Sequence, residues 1–198
     1  DHNQRLEQIL DERGKKEELR MVEELAEMVD ISAVLQEEPL GLGHAVLVTR
    51  ELLEGEPFAV LLGDDIFTGV APCLKQLLEV YESCQSSVLA VMEVPAETVS
   101  RYGVVAVEPA EAGDRLYRVR DVVEKPAPED APSNLILPGR YILTPAIFET
   151  LEATAPGAGG EIQLTDGLKG LIEREPVYAY RFRGVRHDAG SKLGYLKA

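Results

Sequence analysis

The chain has 198 residues, of which 45% are hydrophobic, and its formal net charge at pH 7 is −15. This length and hydrophobic content suit a globular chain with one sizeable core, or with one core and a small lobe. The strong negative charge repels nucleic acids and anionic membranes, so we expect neither as a partner. An anionic substrate would need a local cluster of basic groups, or a bound cation, to reverse the sign of the local field.

The sequence also predicts the cellular compartment of the protein. No apolar run approaches the roughly 18 residues of a membrane span, and the first residues lack the basic and apolar regions of a signal peptide. The two cysteines, Cys73 and Cys84, have no CxxC spacing. Isolated thiols are typical of a reducing compartment, and they argue against a disulfide framework or a zinc site. We therefore expect a cytoplasmic protein.

The N-terminal segment is charged and helical in pattern. Apolar residues recur at roughly helical spacing over residues 4–30, and Gly14 is expected to divide this stretch into two helices. The charged positions fit a solvated helix face, and we assign them no function. Residues 31–35 are predicted to form a short strand.

Helices and strands alternate along the rest of the chain. A turn over residues 111–114 is expected to join two of the strands. This alternation predicts an α/β fold, Rossmann-like and doubly wound, with a mixed but mostly parallel sheet. The predicted helices cover 44–53, 70–83, 145–151 and 162–172, and the predicted strands cover 58–63, 87–94, 104–107, 116–123, 135–143 and 177–182.

Two adjacent acids follow the apolar run at residues 58–63. An uninterrupted apolar run of this length is typical of a strand that is buried on both faces of a sheet. Ligands of open α/β sheets bind beyond the carboxyl ends of the strands. Asp64 and Asp65 are therefore either metal ligands or residues of an ordinary Gly-Asp-Asp turn.

Eight short segments, spread over nearly the whole chain, carry a recognisable pattern. They are 36–46 (QEEPLGLGHAV), 62–66 (LGDDI), 101–105 (RYGVV), 123–126 (VEKP), 131–134 (APSN), 139–141 (GRY), 157–166 (GAGGEIQLTD) and 187–195 (HDAGSKLGY). In content and order they resemble the bacterial UTP–glucose-1-phosphate uridylyltransferases, or UDP-glucose pyrophosphorylases. The GEIQLTD block is especially specific for this family among sugar nucleotidyltransferases.

The resemblance implies a fold of the sugar nucleotidyltransferase type and a reaction that needs Mg²⁺. A phosphate oxygen of glucose 1-phosphate attacks the α-phosphorus of UTP, and pyrophosphate leaves. Asp64 is expected to be a catalytic residue and the first metal ligand, and Asp188 the second ligand. Lys125 is expected to be catalytic through contact with the sugar phosphate. The alternatives are a turn role for Asp188 beside Gly190 and a solvated strand-end position for Lys125.

The same resemblance assigns substrate contacts. Glu124 is expected to accept hydrogen bonds from glucose hydroxyls, with a surface ion pair as the alternative. Gln36 offers the donor and acceptor that suit the imide edge of uracil. Gly41 is expected to let the base approach the backbone closely, and Gly103 to do the same for the sugar. The remaining expected contacts are made by Asn134, near the sugar, and Lys192, which reaches the phosphates or is merely exposed.

One family feature has no counterpart in the sequence. Family members begin with a strand and a Gly-x-Gly-Thr-Arg loop, which cradles the triphosphate. We therefore expect residues 1–198 to form a single nucleotidyltransferase catalytic domain that is truncated at its N-terminus and shortened at its C-terminus. Two alternatives remain open: a non-catalytic homologue that binds an active partner or a sugar nucleotide, and a thymidylyltransferase acting on the same sugar phosphate. Members of this family commonly form dimers or tetramers, so the resemblance also predicts a homo-oligomer of one of these two sizes.

Overall fold

The computed structural model describes residues 3–53, 55–110 and 114–198, so the predicted turn over 111–114 falls largely outside the described residues. The chain divides into two compact units, one ending at Leu35 and the other beginning at Gln36. The helices are α1 (Gln4–Glu12), α2 (Lys16–Glu27), α3 (Leu42–Leu47), α4 (Cys73–Cys84), α5 (Ala146–Ala153), α6 (Leu164–Arg174) and α7 (Lys192–Lys197). The strands are β1 (Phe58–Leu61), β2 (Asp65–Thr68), β3 (Ser87–Glu93), β4 (Gly103–Pro109), β5 (Leu116–Glu124), β6 (Leu135–Ile136), β7 (Arg140–Leu143), β8 (Val177–Arg181) and β9 (Val185–Asp188).

The first unit is a helical pair, as the sequence predicts. The side chain of Asn3 caps α1 by accepting a hydrogen bond of 3.1 Å from the Leu6 amide. Gly14, with φ +66°, separates α1 from α2. Within these two described helices no residue is buried. The predicted strand over 31–35 is wrong, because these exposed residues have no described strand to pair with.

The main sheet of the second unit has seven strands in the order β1-β7-β3-β6-β4-β5-β8. Among the described pairings of this sheet only β3 with β8 is parallel, and the others are antiparallel. The expectation of a mostly parallel sheet is therefore wrong, whereas a mixed sheet is confirmed. The short connection from β4 to β5, for example, leaves no room for the crossover of a dozen residues that parallel neighbours require.

Helices cover both faces of this sheet. In β3, Leu89 and Val91 pack on one side with residues of α3, α5 and α6. Val88 and Ala90 pack on the other side with residues of α4. Alternate side chains of one strand thus enter two cores, as expected for the central strand of a three-layer α/β arrangement. The predicted α/β class is confirmed.

Strand β1 differs from its prediction in burial. It pairs with β7 at one end of the described strand order. Its side chains alternate between partly buried and exposed, and Leu61 is 50% exposed. The prediction of burial on both faces is wrong. The face of β1 that carries Phe58 and Val60 packs against the core, and the face that carries Leu61 does not. The last two residues of the apolar run, Leu62 and Gly63, lie in the turn beyond the strand.

A separate two-stranded ribbon carries the acidic residues. Strands β2 and β9 pair antiparallel, with Asp65 opposite Asp188 and Thr68 opposite Val185. The sequence pattern did not reveal this ribbon, because its strands have four residues each and lie far apart in the chain. The ribbon brings the two acidic segments together. Among the described residues, no helix is long and apolar enough to cross a membrane.

Candidate active site

A cavity of about 380 Å³ opens where β1 and β5 end and β4 begins, near the β2–β9 ribbon. Its charged lining is mixed, with four carboxylates and three basic side chains. The charged residues are Asp64, Asp65, Glu124, Asp188, Arg101, Lys125 and Arg186. The uncharged part of the lining is formed by Leu42, Leu62, Tyr102, Gly103, Leu137, Tyr141, Gln163, Leu164 and Thr165.

Two carboxylates converge at the end of the ribbon. The Ala189 amide donates a 2.7 Å hydrogen bond to the Asp64 carbonyl, which joins the two acidic segments directly. An ideal Cβ on Gly190 would lie 3.0 Å from Asp64 Oδ2 and 3.2 Å from Asp188 Oδ1, so both carboxylates flank one small space that a side chain would fill. The Asp64 carboxylate is exposed, and no hydrogen bond among the described residues ends on its oxygens, whereas Asp188 Oδ1 accepts one of 3.1 Å from the Gly190 amide. Two carboxylates at one open site are the protein ligands that Mg²⁺ commonly uses when substrate phosphates complete its shell.

Asp65, adjacent to Asp64, is in a different environment. Its side chain is buried, and its Oδ1 is engaged inside the protein by a hydrogen bond from Nε of Arg186. Burial raises the pKa of the Asp65 carboxyl, the Arg186 guanidinium opposes this rise, and the nearby Asp64 and Asp188 charges add to it. Of the three acids at this end of the ribbon, Asp64 and Asp188 are therefore the two left to face the cavity.

Lys125 and Glu124 lie across the cavity at the end of β5. The Lys125 backbone has φ +44°, the left-handed region that side chains rarely adopt, and its amide donates a 3.0 Å hydrogen bond to the Tyr102 carbonyl. Its Nζ lies 3.3 Å from Glu124 Oε1. The other Glu124 oxygen accepts a 3.1 Å hydrogen bond from the Thr165 hydroxyl. Backbone strain of this kind concentrates at functional sites, where the surrounding structure holds it in place.

Gly103 lines the cavity at a point of close packing. An ideal Cβ here would lie 2.8 Å from Thr165 Cγ2 and 3.3 Å from Leu137 Cδ1. Only a glycine lets β4 approach the start of α6 this closely. The same approach brings the Thr165 hydroxyl to Glu124, so Gly103 shapes the floor of the cavity.

Four predicted site residues do not line this cavity. Gln36 uses its amide nitrogen within the chain, 3.1 Å from the Gly41 carbonyl oxygen and 2.9 Å from His44 Nδ1. Gly41, with φ +95°, would place a Cβ 2.9 Å from the Ile162 carbonyl oxygen, so close packing already requires a glycine there. Both residues lie before α3, and the first residue of that helix, Leu42, does line the cavity. The remaining two, Asn134 and Lys192, are exposed.

Several cavity residues were not predicted. Arg101 and Tyr102 precede Gly103, and Thr165 lies within the GEIQLTD block, so the recognised segments already contained them. Arg186 has no local signal, because its partner Asp65 is 121 positions away in the chain. The pairing of β2 with β9 was needed to find it.

Comparisons with known proteins agree with this geometry. Residues 2–198 match the family model described as nucleotidyl transferase. A UTP–glucose-1-phosphate uridylyltransferase of Staphylococcus haemolyticus is 48% identical over 197 residues, which are 100% of this chain and 68% of that protein. A crystal structure of UDP-glucose pyrophosphorylase complexed with UDP-glucose superposes with a TM-score of 0.86 at 43% identity, covering 93% of this chain and 70% of that one. A UTP-bound enzyme of the same kind from Acinetobacter baumannii also gives 0.86, at 37% identity, over 100% of this chain and 68% of that one.

The chain thus spans about two thirds of the length of the curated relatives that it matches. The family model matches residues 2–198, which include the strands and loops that build the cavity. The expected sugar nucleotidyltransferase type of fold is confirmed. The chain belongs to the nucleotidyl transferase family and, within it, to the UTP–glucose-1-phosphate uridylyltransferases.

Proposed function

We propose that the protein transfers a uridylyl group from UTP to glucose 1-phosphate, giving UDP-glucose and pyrophosphate, in a reaction that depends on Mg²⁺. The observation that carries this proposal is the convergence of Asp64 and Asp188 beside Gly190, in the same cavity as Lys125. Relatives named for this reaction match the whole chain. The likeness to structures that hold UDP-glucose and UTP supports the same ligands here.

The charges of the cavity explain why a cation is needed. Four carboxylates against three basic side chains leave the lining unable to attract a polyphosphate on its own. Asp64 and Asp188 are the residues that would hold Mg²⁺, and they fit it because their oxygens flank one open space at the cavity wall. The bound ion would neutralise charge on the phosphates and help to orient them.

The protein's own side chains then bind and position the substrates. Lys125 supplies a compact positive charge for the phosphate of glucose 1-phosphate, and its constrained backbone aims the side chain from the end of β5. Glu124, held by Thr165, accepts hydrogen bonds from sugar hydroxyls. Little covalent chemistry falls to these groups, because phosphoryl-type transfers are accelerated mainly by positioning and by charge stabilisation.

The nucleotide contacts belong to the segment before and within α3. Gln36 and Gly41 form one hydrogen-bonded unit with His44, and that unit adjoins the cavity through Leu42. We propose that this unit holds the uracil base. Asn134 and Lys192 are proposed to contact the sugar and the phosphates, respectively.

The cellular compartment and the oligomeric state are also part of the proposal. We propose a cytoplasmic, homo-oligomeric enzyme, either a dimer or a tetramer. The free thiols of Cys73 and Cys84 suit a reducing compartment. Light scattering of the purified protein measures the oligomeric state directly, and a monomer at micromolar concentration would contradict that part of the proposal.

The central experiment is pyrophosphate release from UTP and glucose 1-phosphate, with Asp64→Asn as the variant. The substitution keeps the shape of the side chain and removes the negative charge of one proposed metal ligand. We therefore expect turnover to fall by roughly 100-fold or more while the circular dichroism spectrum is unchanged. Asp130→Asn is the matched control, because Asp130 is exposed and lies outside the cavity. Wild-type turnover in Asp64→Asn would refute the metal assignment. Faster turnover with dTTP than with UTP would favour the thymidylyltransferase alternative, and no turnover with either would favour a non-catalytic homologue.

A further inference from the structure

The ion pair between Asp65 and Arg186 is unusual among the described ion pairs because both side chains are largely buried, at 5% and 12% exposed. In every other described pair the side chain of at least one partner is more than half exposed. A buried ion pair is weak evidence for stability, since desolvation offsets much of its attraction. Its position in the fold therefore needs another explanation.

The register of the ribbon places the pair beside the metal carboxylates. Asp65 is directly opposite Asp188, and Arg186 is opposite Phe67, so Asp65 and Arg186 are diagonal neighbours on one face of the ribbon. Asp188 shares that face. The guanidinium of Arg186 thus engages Asp65 and leaves Asp64 and Asp188 as the acids of the ribbon end that face the cavity.

A second arginine fixes the turn that carries Asp64. Arg140 donates from Nη1 to the Leu62 carbonyl at 2.8 Å and from Nη2 to the Asp65 carbonyl. These two carbonyls bracket Gly63 and Asp64. An ideal Cβ on Gly139 would lie 2.7 Å from Asp65 Oδ2, so the buried carboxylate also packs against the main chain of the neighbouring sheet.

Arg186 also reaches the opposite wall of the cavity. Its Nη1 donates a 3.2 Å hydrogen bond to the Tyr102 hydroxyl, and its guanidinium lies 5.2 Å from the centre of the Tyr102 ring. The Tyr102 carbonyl accepts the hydrogen bond from the Lys125 amide. One guanidinium therefore connects the end of the ribbon with the segment that holds Lys125.

We propose that Arg186 is a positioning residue, which through Asp65 and Tyr102 holds Asp64 and Asp188 at the spacing that a divalent cation requires. This inference rests on the proposed function. Asp65, although adjacent to Asp64, then acts as the partner of Arg186 and is not a metal ligand. Residues that orient metal ligands typically change metal affinity or activity about 10- to 100-fold when they are mutated.

The test uses Mn²⁺ alone, measured by electron paramagnetic resonance on the purified protein. Arg186→Lys keeps the net charge, but a single ammonium cannot replace the two-sided contact of the guanidinium. The double variant Asp65→Asn with Arg186→Met removes both charges together and also leaves the net charge unchanged. We expect both to bind Mn²⁺ about 10- to 100-fold more weakly, with a parallel fall in kcat and an unchanged circular dichroism spectrum.

The sign of the effect separates positioning from electrostatics. Loss of a positive charge beside a cation site, as in Arg186→Met alone, would by itself strengthen Mn²⁺ binding, whereas lost positioning weakens it. The matched control is Arg181→Lys, since Arg181 pairs with Glu93 at 2.7 Å outside the cavity, and its Mn²⁺ affinity is expected to stay within 2-fold of wild type.

Each outcome decides the inference. Mn²⁺ affinity within 2-fold of wild type in folded Arg186→Lys, or in the folded double variant, overturns it. If neither folds, Tyr102→Phe decides, because it deletes one hydroxyl and fills the same space: binding weakened at least 3-fold supports the inference, and unchanged binding overturns it. If Asp64→Asn and Asp188→Asn also bind Mn²⁺ normally, the metal assignment of the proposed function fails instead.

Discussion

Replacing Lys125 with alanine and with glycine separates its side chain from its backbone. Both variants lose the ammonium that we place at the sugar phosphate. By analogy with other lost charged donors, kcat/KM for glucose 1-phosphate should fall by about 2–4 kcal/mol of transition-state stabilisation, roughly 30- to 1,000-fold, and equally in both.

The two variants should differ in stability. The left-handed conformation at φ +44° costs a residue with a Cβ about 1–2 kcal/mol, and glycine avoids this cost. Glycine also gains about 0.5–1 kcal/mol of conformational freedom in the unfolded chain, which offsets part of the benefit. Lys125→Gly should therefore be more stable than Lys125→Ala by about 0.5–1 kcal/mol.

Urea denaturation and initial-rate kinetics measure these two effects independently. Greater stability of Lys125→Ala, by the roughly 0.5–1 kcal/mol that glycine loses through its freedom in the unfolded chain, would show that the backbone at this position carries no strain. Wild-type kinetics in both would remove Lys125 from the active site. A pair with equal kinetic defects, in which Lys125→Gly is the more stable variant, would support a strained backbone that serves the site.

Two further predictions concern the sugar pocket and the thiols. Thr165→Val keeps the packing against Gly103 but deletes the hydroxyl bound to Glu124, so KM for glucose 1-phosphate should rise roughly 5- to 10-fold, equivalent to about 1 kcal/mol, while the melting temperature changes little; an unchanged KM would separate Thr165 from sugar binding. Burial raises the pKa of the Cys73 thiol to about 11. In the Cys84→Ser variant, iodoacetamide should therefore alkylate the native protein very slowly at pH 8, and the rate should rise toward pH 11. Rapid labelling at pH 8 without unfolding would contradict the burial of Cys73.

The elements with strong local patterns could be predicted from the sequence. The continuous apolar stretch in β3 and the helical spacing in α4 and α6 each reflect burial against the core, and their predicted bounds differ from the structure by only a few residues. The prediction for the apolar run at 58–63 is wrong because the pattern does not show whether both faces of a strand are covered. The predicted strand direction is wrong for another reason, because pairing is set by partners far away in the chain.

Site residues that lie in short, recognisable motifs could be predicted from the sequence. Asp64, Glu124, Lys125 and Asp188 were identified from such motifs and line one cavity. The distinction between Asp64 and Asp65 could not be drawn from the sequence, because two adjacent aspartates differ only in what the fold places beside each of them. Arg186 supplies that difference, through a pairing of strands with no local signal.

The position of the bound cation tests the proposed mechanism most directly. Crystals grown with Mn²⁺ and UDP-glucose, measured at the manganese absorption edge, would show the ion as an anomalous peak. We expect one peak about 2.0–2.2 Å from a carboxylate oxygen of Asp64 and of Asp188 and in contact with the diphosphate, with Asp65 still paired to Arg186. A diphosphate bound in the cavity with no ion between these two carboxylates, or an ion held by Asp65, would contradict it.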